Sequence, residues 1–157
     1  MAIRVRLKLD GMQRIRKNRG SMNLFAYGSL ILPEVMKKVA GRLFRNEEAE
    51  LHGFARFKFK GKSYPGIMPF PDHSTDGVLY YEVDPETAER LDQFEGNAYE
   101  RVPVTVATEH GEWADAETYV VRRSARRSLS ADAWDEYEFR KEALAEFLST
   151  YPGFDGT

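Results

Sequence analysis

The chain has 157 residues, of which 42% are hydrophobic and 31% are charged, and its formal net charge at pH 7 is -2. This length and balance fit one globular domain with a single core. The absence of cysteine excludes a disulfide framework and a thiolate nucleophile, and no apolar stretch approaches the roughly 20 residues that cross a bilayer. We therefore expect a cytoplasmic protein without a membrane partner.

The first 21 residues form a basic N-terminal extension. They carry seven Lys/Arg and one acid, Asp10, for a net charge of +6, which leaves -8 on residues 22–157. The Gly-Ser-Met sequence at 20–22 resembles the junction of a leader or tag. Against this, apolar and charged residues alternate over 3–9, which is the period of a half-buried strand. We expect either a leader outside the domain or an extra strand, which could also pair with a second copy in a homodimer.

The predicted elements begin with a strand at 22–30 that runs into a Gly-Ser turn. A short helix follows at 33–41, with proline in its first position and glycine at its end. The next strand, at 50–61, alternates aromatic and basic residues, which predicts a basic outer face. Residues 63–74 are dense in proline and glycine and predict a loop. A further strand covers 76–83.

A second helix is predicted to begin at Asp84, a good N-cap that proline follows, and to end at Gly96. Residues 99–122 predict two strands around a turn near residues 110–111, with a basic loop after them. Ser130 is the expected cap of a last helix. The packing face of that helix comprises Trp134, Tyr137, Leu144, Phe147 and Leu148. This order predicts an α+β fold that is mixed and mostly antiparallel.

Several kinds of site are not predicted. The three histidines, His52, His73 and His110, lack the short spacing of a metal site. Neither the G-x-S-x-G elbow of a hydrolase nor the G-x-x-x-x-G-K-[ST] loop of a nucleotide-binding protein occurs. The aromatic–basic alternation at 56–60 is compatible with stacking on nucleic acid, but a solvated strand face explains it more simply. We expect no metal, no cofactor and no nucleic-acid partner.

Two stretches remain that could carry chemistry. The sequence YGSL at 27–30 lies between a strand and a helix, where glycine permits a tight turn and successive N–H groups can hold an anion; an ordinary turn is the alternative. Glu95 lies in the last turn of the second helix, where the backbone carbonyls and Asp92 both disfavour its ionised form. Shielding from water would raise the pKa of this carboxyl toward the range that a general base or acid requires. A surface glutamate is the alternative.

Four motifs, in this order and spacing, resemble the γ-glutamylcyclotransferase-like family. They are FAYGSL (25–30), YPGIMP (64–69), GVLYYEVDPETAERLDQFEGNAYERVPVTV (77–106) and ETYVV (117–121). That family includes avirulence-induced-gene-like proteins and γ-glutamylamine cyclotransferase. The resemblance implies a small mixed β-barrel with flanking helices and one cavity, so residues 22–157 would form the domain. It also implies release of 5-oxoproline from a γ-glutamyl amine or amino acid, by attack of the substrate's α-amine on its own γ-carbonyl, without metal or cofactor.

The resemblance also assigns site residues. The family's catalytic glutamate falls on Glu95, which would act as base and then as acid. The family's substrate-cradling loop falls on Tyr27, Gly28, Ser29, Leu30, Ile31 and Leu32. Tyr64, Tyr99 and Tyr119 are further candidates for substrate contact, with a plain turn or core packing as the alternative. Arg101 is expected in a surface salt bridge, with pairing to Glu95 or Asp92 as the alternative. A non-catalytic relative that only binds a small molecule is the alternative function.

Overall fold

In the computed structural model, which describes residues 20–151, five strands form a barrel and α-helices lie on its outside. The strands are β1 Met22–Ala26, β2 Asn46–Lys58, β3 Pro65–Val83, β4 Tyr99–Thr108 and β5 Trp113–Val121. The α-helices are α1 Pro33–Ala40, α2 Pro85–Glu95, α3 Glu136–Glu142 and α4 Leu144–Thr150, and 3-10 helices cover Ser29–Ile31 and Arg123–Ser128. None of these helices is long and apolar enough to cross a membrane. The strand predicted at 3–9 lies outside the described residues.

The barrel is closed, mixed and mostly antiparallel, which confirms the predicted fold class. The strand order is β1-β3-β2-β4-β5, and these neighbours pair antiparallel until β5 meets β1. There the contact is parallel, at Leu24 and Glu117, and a second parallel contact joins Ile67 of β3 to Val120 of β5. Closure pairs the strand edges with one another, which protects them from pairing with another chain.

Successive side chains of β1 belong to two different clusters of the core. Phe25 and Tyr27 point into the barrel, where they join side chains such as Ile67 and Val106. Leu24 and Ala26 point to the opposite face and pack with the helices. Successive side chains of a strand face opposite ways, so this short strand bridges both clusters. The chain that leaves β1 therefore emerges where barrel and helices meet.

The loop predicted for 63–74 is wrong, because most of this segment is the first half of β3. It pairs with β2 from Lys58 opposite Pro65 to His52 opposite Ser74. The glycine at 66 does not make a turn: a side chain there would overlap Val121, so glycine serves close strand packing. The prolines are tolerated because the other edge of this part of β3 pairs with β5 only at Ile67.

The last helix also differs from its prediction. Its N-cap is Asp135, whose carboxylate accepts the Tyr137 N–H at 2.9 Å, whereas the Ser130 hydroxyl donates to the Lys58 carbonyl at 2.8 Å. The helix is broken at Ala143, between α3 and α4. Tyr137 is 71% exposed and does not pack, while Trp134 is buried as predicted and donates its Nε1–H to the Ser63 carbonyl.

Candidate active site

A cavity of about 1030 Å³ opens between the barrel and the C-terminal helices. Its walls come from the ends of β1 and α2, the segment before β3, residues of β4 and β5, the 3-10 helix Arg123–Ser128 and the helices α3 and α4. The predicted site residues that line it are Tyr27, Gly28, Ser29, Leu30, Tyr64, Glu95, Tyr99 and Tyr119. Two predicted residues lie elsewhere: Leu32 is fully buried in the core, and Ile31 packs against that core.

The turn after β1 lines the cavity with residues 28–30. Gly28 precedes a single 3-10 turn, in which the Ile31 N–H donates to the Gly28 carbonyl at 3.0 Å and the Leu32 N–H to the Ser29 carbonyl at 3.1 Å. The first N–H that donates within this turn is that of Ile31. The N–H groups of residues 28–30 therefore have no acceptor within the described residues. A Cβ on Gly28 would lie 3.0 Å from Cγ of Pro65, so the turn packs closely on β3.

Arg56 fixes this turn from behind. Its Nη1 donates to the Tyr27 carbonyl at 2.6 Å and to the Asp76 carbonyl at 3.0 Å, and its guanidinium lies over the Trp134 ring. Burial lowers the pKa of Arg56, and the negative charge of Asp76 offsets only part of this lowering. The predicted solvated basic face of β2 is therefore wrong at Arg56, which is half-buried and whose Nη1 donates to two backbone carbonyls.

Glu95 is the last residue of α2 and lies against the cavity. The helix forms because Asp84 caps it, accepting the Thr87 N–H at 3.1 Å, and because Pro85 occupies its first position. Its next-to-last residue, Phe94, packs its ring 5.9 Å from Phe147 and 5.3 Å from Tyr151, so α4 covers this helix end. Glu95 is half-buried because the cavity itself reaches it, and the rest of its surface is covered by protein.

The environment of Glu95 favours its neutral form. Burial, and after it the negative charge of Asp92, raises the pKa of Glu95 to about 8. The carbonyls at the end of the helix act in the same direction. Within the described residues no group donates a hydrogen bond to this carboxyl, so nothing offsets the loss of hydration. At neutral pH the group can therefore both hold and release a proton.

Three tyrosines around Glu95 have their protons engaged elsewhere. The hydroxyl of Tyr27 donates to the Tyr119 carbonyl, that of Tyr99 to the Pro65 carbonyl and that of Tyr119 to Oδ1 of Asp92, each at 2.6 Å. Burial is the main reason why the pKa of each phenol lies well above its ordinary value, and the charge on Glu95 adds to it. The tyrosines remain neutral, and their hydroxyls hold the cavity wall in place.

Arg101 forms ion pairs that do not include Glu95. Its Nε lies 3.0 Å from Oδ1 of Asp92, and its Nη1 lies 3.3 Å from Oε1 of Glu117. The Asp92 carboxylate thus receives both Arg101 and the Tyr119 hydroxyl. Through these two carboxylates Arg101 connects α2 to β5.

The C-terminal wall of the cavity was not anticipated from the sequence. Phe139, Ala143, Glu146 and Phe147 line it from α3 and α4. Of these four residues only Phe147 belongs to the packing face that the sequence predicted for the last helix, and the sequence did not indicate what that face covers. The aromatic pair of Phe94 and Phe147 is the contact that brings this face to Glu95.

One group of possible metal ligands lies away from the cavity. Glu47, Glu109 and His110 each place one ligand atom within 4.8 Å of the others. Glu109 and His110 are exposed, and none of the three residues lines the cavity. The group therefore has no part in the chemistry of Glu95.

Comparison with known proteins agrees with this architecture. The family model described as "Gamma-glutamyl cyclotransferase, AIG2-like" matches residues 24–138. AIG2-like protein C of Arabidopsis thaliana is 32% identical over 137 residues, which are 87% of this chain and 79% of that protein.

Solved structures show the same fold. A solution structure of an Arabidopsis thaliana protein is 32% identical, with a TM-score of 0.66, and the match covers 84% of this chain and 89% of that one. A structure described as a γ-glutamyl cyclotransferase has a TM-score of 0.58 at 24% identity, over 65% of this chain and 67% of that one. At this identity the second match is evidence of the fold alone.

Proposed function

The chain belongs to the γ-glutamyl cyclotransferase, AIG2-like family, and from this premise we propose that it releases 5-oxoproline from a γ-glutamyl amine or γ-glutamyl amino acid. The observation that carries the proposal is the position of Glu95, a carboxyl with a pKa of about 8 that faces a cavity next to unpaired backbone N–H groups. A proton-transfer group and an anion-binding turn are the two parts that this cyclisation needs.

The reaction begins with removal of a proton from the substrate. At neutral pH the α-amine of a γ-glutamyl compound is an ammonium, which has no lone pair and cannot attack. The Glu95 carboxylate takes one proton from it, and the freed nitrogen then bonds to the γ-carbonyl carbon of the same molecule. Both reacting groups belong to one chain, so holding that chain folded supplies much of the rate.

The attack places negative charge on the γ-carbonyl oxygen. The N–H groups of residues 28–30 are free to stabilise this oxygen or to hold the α-carboxylate of the substrate. Arg56 and Pro65 fix the turn from two sides, so the donors are oriented before the substrate arrives. Fixed donors stabilise developing charge without the cost of reorganisation.

The leaving nitrogen must be protonated before its bond to carbon breaks. Glu95, now neutral, donates its proton to that nitrogen and accepts the second proton of the attacking nitrogen. It then passes this second proton to the departing amine, which leaves as an ammonium. Over the cycle the α-nitrogen loses two protons and the departing amine gains two. Glu95 ends in its starting state, and no water is consumed.

A panel of γ-glutamyl substrates, scored for 5-oxoproline by mass spectrometry, tests the proposal. The panel should include a γ-glutamyl amino acid, a γ-glutamyl alkylamine and γ-glutamyl-ε-lysine. We expect release from at least one member, and its loss in the Glu95→Gln variant. Binding of panel members in calorimetry without any release would instead indicate the non-catalytic relative. Release that the Glu95→Gln variant retains would contradict the assigned role of Glu95.

A further inference from the structure

The cavity wall carries an excess of positive charge. The charged residues that line it besides Glu95 are three cations, Lys60, Lys62 and Arg127, and one acid, Glu146. All four are exposed, and none forms an ion pair within the described residues. Exposed charges are held by water rather than by a fixed partner, so the three cations in this wall are available to a ligand.

The three cations belong to two segments that are bonded to each other. Lys60 and Lys62 lie in the turn between β2 and β3, and Arg127 lies in the 3-10 helix Arg123–Ser128. The Lys60 N–H donates to the Ser128 carbonyl at 2.8 Å, and Phe59 pairs with Leu129 as an isolated bridge. The cations therefore share one side of the cavity, which we call the cationic rim. Glu146 comes from a different element, α4.

The substrate has two halves, the glutamyl half and the leaving group, and the leaving group is the one that reaches the cationic rim. The glutamyl half must lie against Glu95 and the turn at 28–30, where the surroundings are largely buried. The leaving group departs to solvent, so it extends toward the part of the wall whose residues are exposed. That part includes the cationic rim.

We infer that the leaving group of this enzyme carries a carboxylate, so its substrates are γ-glutamyl amino acids or peptides rather than γ-glutamyl amines, with Lys60, Lys62 and Arg127 as the residues that determine this specificity. The inference rests on the proposed function. A carboxylate would gain the attraction of three cations against the repulsion of one acid. An alkylamine gains nothing from the rim, and a polyamine leaving group, which is itself cationic, is repelled by it.

A matched pair of substrates tests the inference. γ-Glutamyl-alanine and γ-glutamyl-ethylamide share the glutamyl half and the alkyl group, and they differ only by the carboxylate of the leaving group. The ratio of their kcat/KM values for 5-oxoproline release therefore isolates the contribution of that carboxylate. We expect the ratio to favour γ-glutamyl-alanine and to fall as salt is added, because exposed charges are screened.

Single substitutions locate the effect. Lys60→Gln, Lys62→Gln and Arg127→Gln should each lower the ratio by about two- to five-fold, the scale of an exposed ion pair. Arg123→Gln is the matched control: Arg123 is exposed in the same 3-10 helix but does not line the cavity, so its substitution should leave the ratio unchanged. Glu146→Gln should raise the ratio, and this opposite sign distinguishes charge from packing.

The outcomes separate this inference from the proposed function. Two results with both substrates turning over would overturn the inference and leave the proposed function standing. One is a kcat/KM ratio near one in the parent protein, and the other is a ratio that the three rim substitutions leave unchanged. An equal loss of both substrates in the rim variants would also overturn it, because the rim would then bind the glutamyl half. Absence of 5-oxoproline from both substrates would overturn this inference, and absence from every member of the wider panel would overturn the proposed function as well.

Discussion

Replacing Glu95 with glutamine should make the stability of the fold less dependent on pH. The pKa of Glu95 is about 8 in the folded protein, against an ordinary value of 4.5. Below both values the group is neutral whether the chain is folded or unfolded. Between them the unfolded chain releases a proton that the folded protein retains, so the free energy of unfolding falls as the pH rises. Above about pH 8 both states are ionised and the loss is complete.

The size of this effect follows from the two pKa values. Each unit of difference corresponds to about 1.4 kcal/mol, so the ionised carboxylate destabilises the fold by an amount on the order of 5 kcal/mol. Glutamine preserves the shape of the side chain but cannot ionise. The advantage of the Glu95→Gln variant over the parent should therefore grow by about 1.4 kcal/mol per pH unit between about pH 5 and pH 8.

Urea denaturation at several pH values measures this difference directly. The matched control is Glu89→Gln, on the same helix, because Glu89 is exposed and its substitution should produce no comparable slope. A difference between Glu95→Gln and the parent that stays constant from pH 5 to pH 8 would refute the argument. It would mean that Glu95 is solvated as an ordinary surface glutamate.

Three further predictions follow from the site. Gly28→Val should lower kcat/KM by about 10²-fold, because its side chain meets Pro65 and displaces the N–H donors; steady-state assays with melting curves check this, and near-normal turnover would contradict it. The kcat/KM of the parent should rise about tenfold per pH unit between about pH 6 and pH 8, as Glu95 ionises, and a flat profile there would show that its pKa is ordinary. Deleting residues 1–21 should leave kcat nearly unchanged, since the described cavity is lined by residues 24–150; a large loss would place the domain boundary earlier.

The local signals in the sequence predicted the parts of the site that depend on neighbouring residues. The cap at Asp84 and the glycine at 96 mark the ends of α2, and they place Glu95 in its last turn without knowledge of the fold. The strand at 22–26 and its following turn are similarly local. These elements form because capping groups and alternation act within a few residues.

The errors arose where long-range packing determines the conformation. The proline and glycine content of 63–74 predicted a loop, but Gly66 lies in β3, where the close approach of Val121 from another strand leaves no room for a side chain. The aromatic–basic alternation at 56–60 predicted a solvated face that includes Arg56. Its guanidinium instead donates to the carbonyls of Tyr27 and Asp76, which are 29 and 20 positions away in the sequence. Sequence spacing carries no information about such partners.

The burial of Glu95 shows the same limit. The sequence indicated that the helix end and Asp92 disfavour its charge, but burial is the larger cause of its raised pKa. That burial depends on α4, which packs Phe147 against Phe94 from more than 50 positions later in the chain. The sequence thus predicted the direction of the pKa shift and named shielding from water as its condition, but it could not show that Glu95 is shielded.

Single-turnover release of 5-oxoproline by the Glu95→Gln variant tests the central claim most directly. Glutamine cannot accept a proton from the substrate ammonium, so we expect the rate to fall by about 10²-fold or more while the protein remains folded and still binds substrate. Asp92→Asn, which alters the neighbouring carboxylate but leaves Glu95 in place, should have a far milder effect. Near-normal turnover by a folded Glu95→Gln protein would contradict the account.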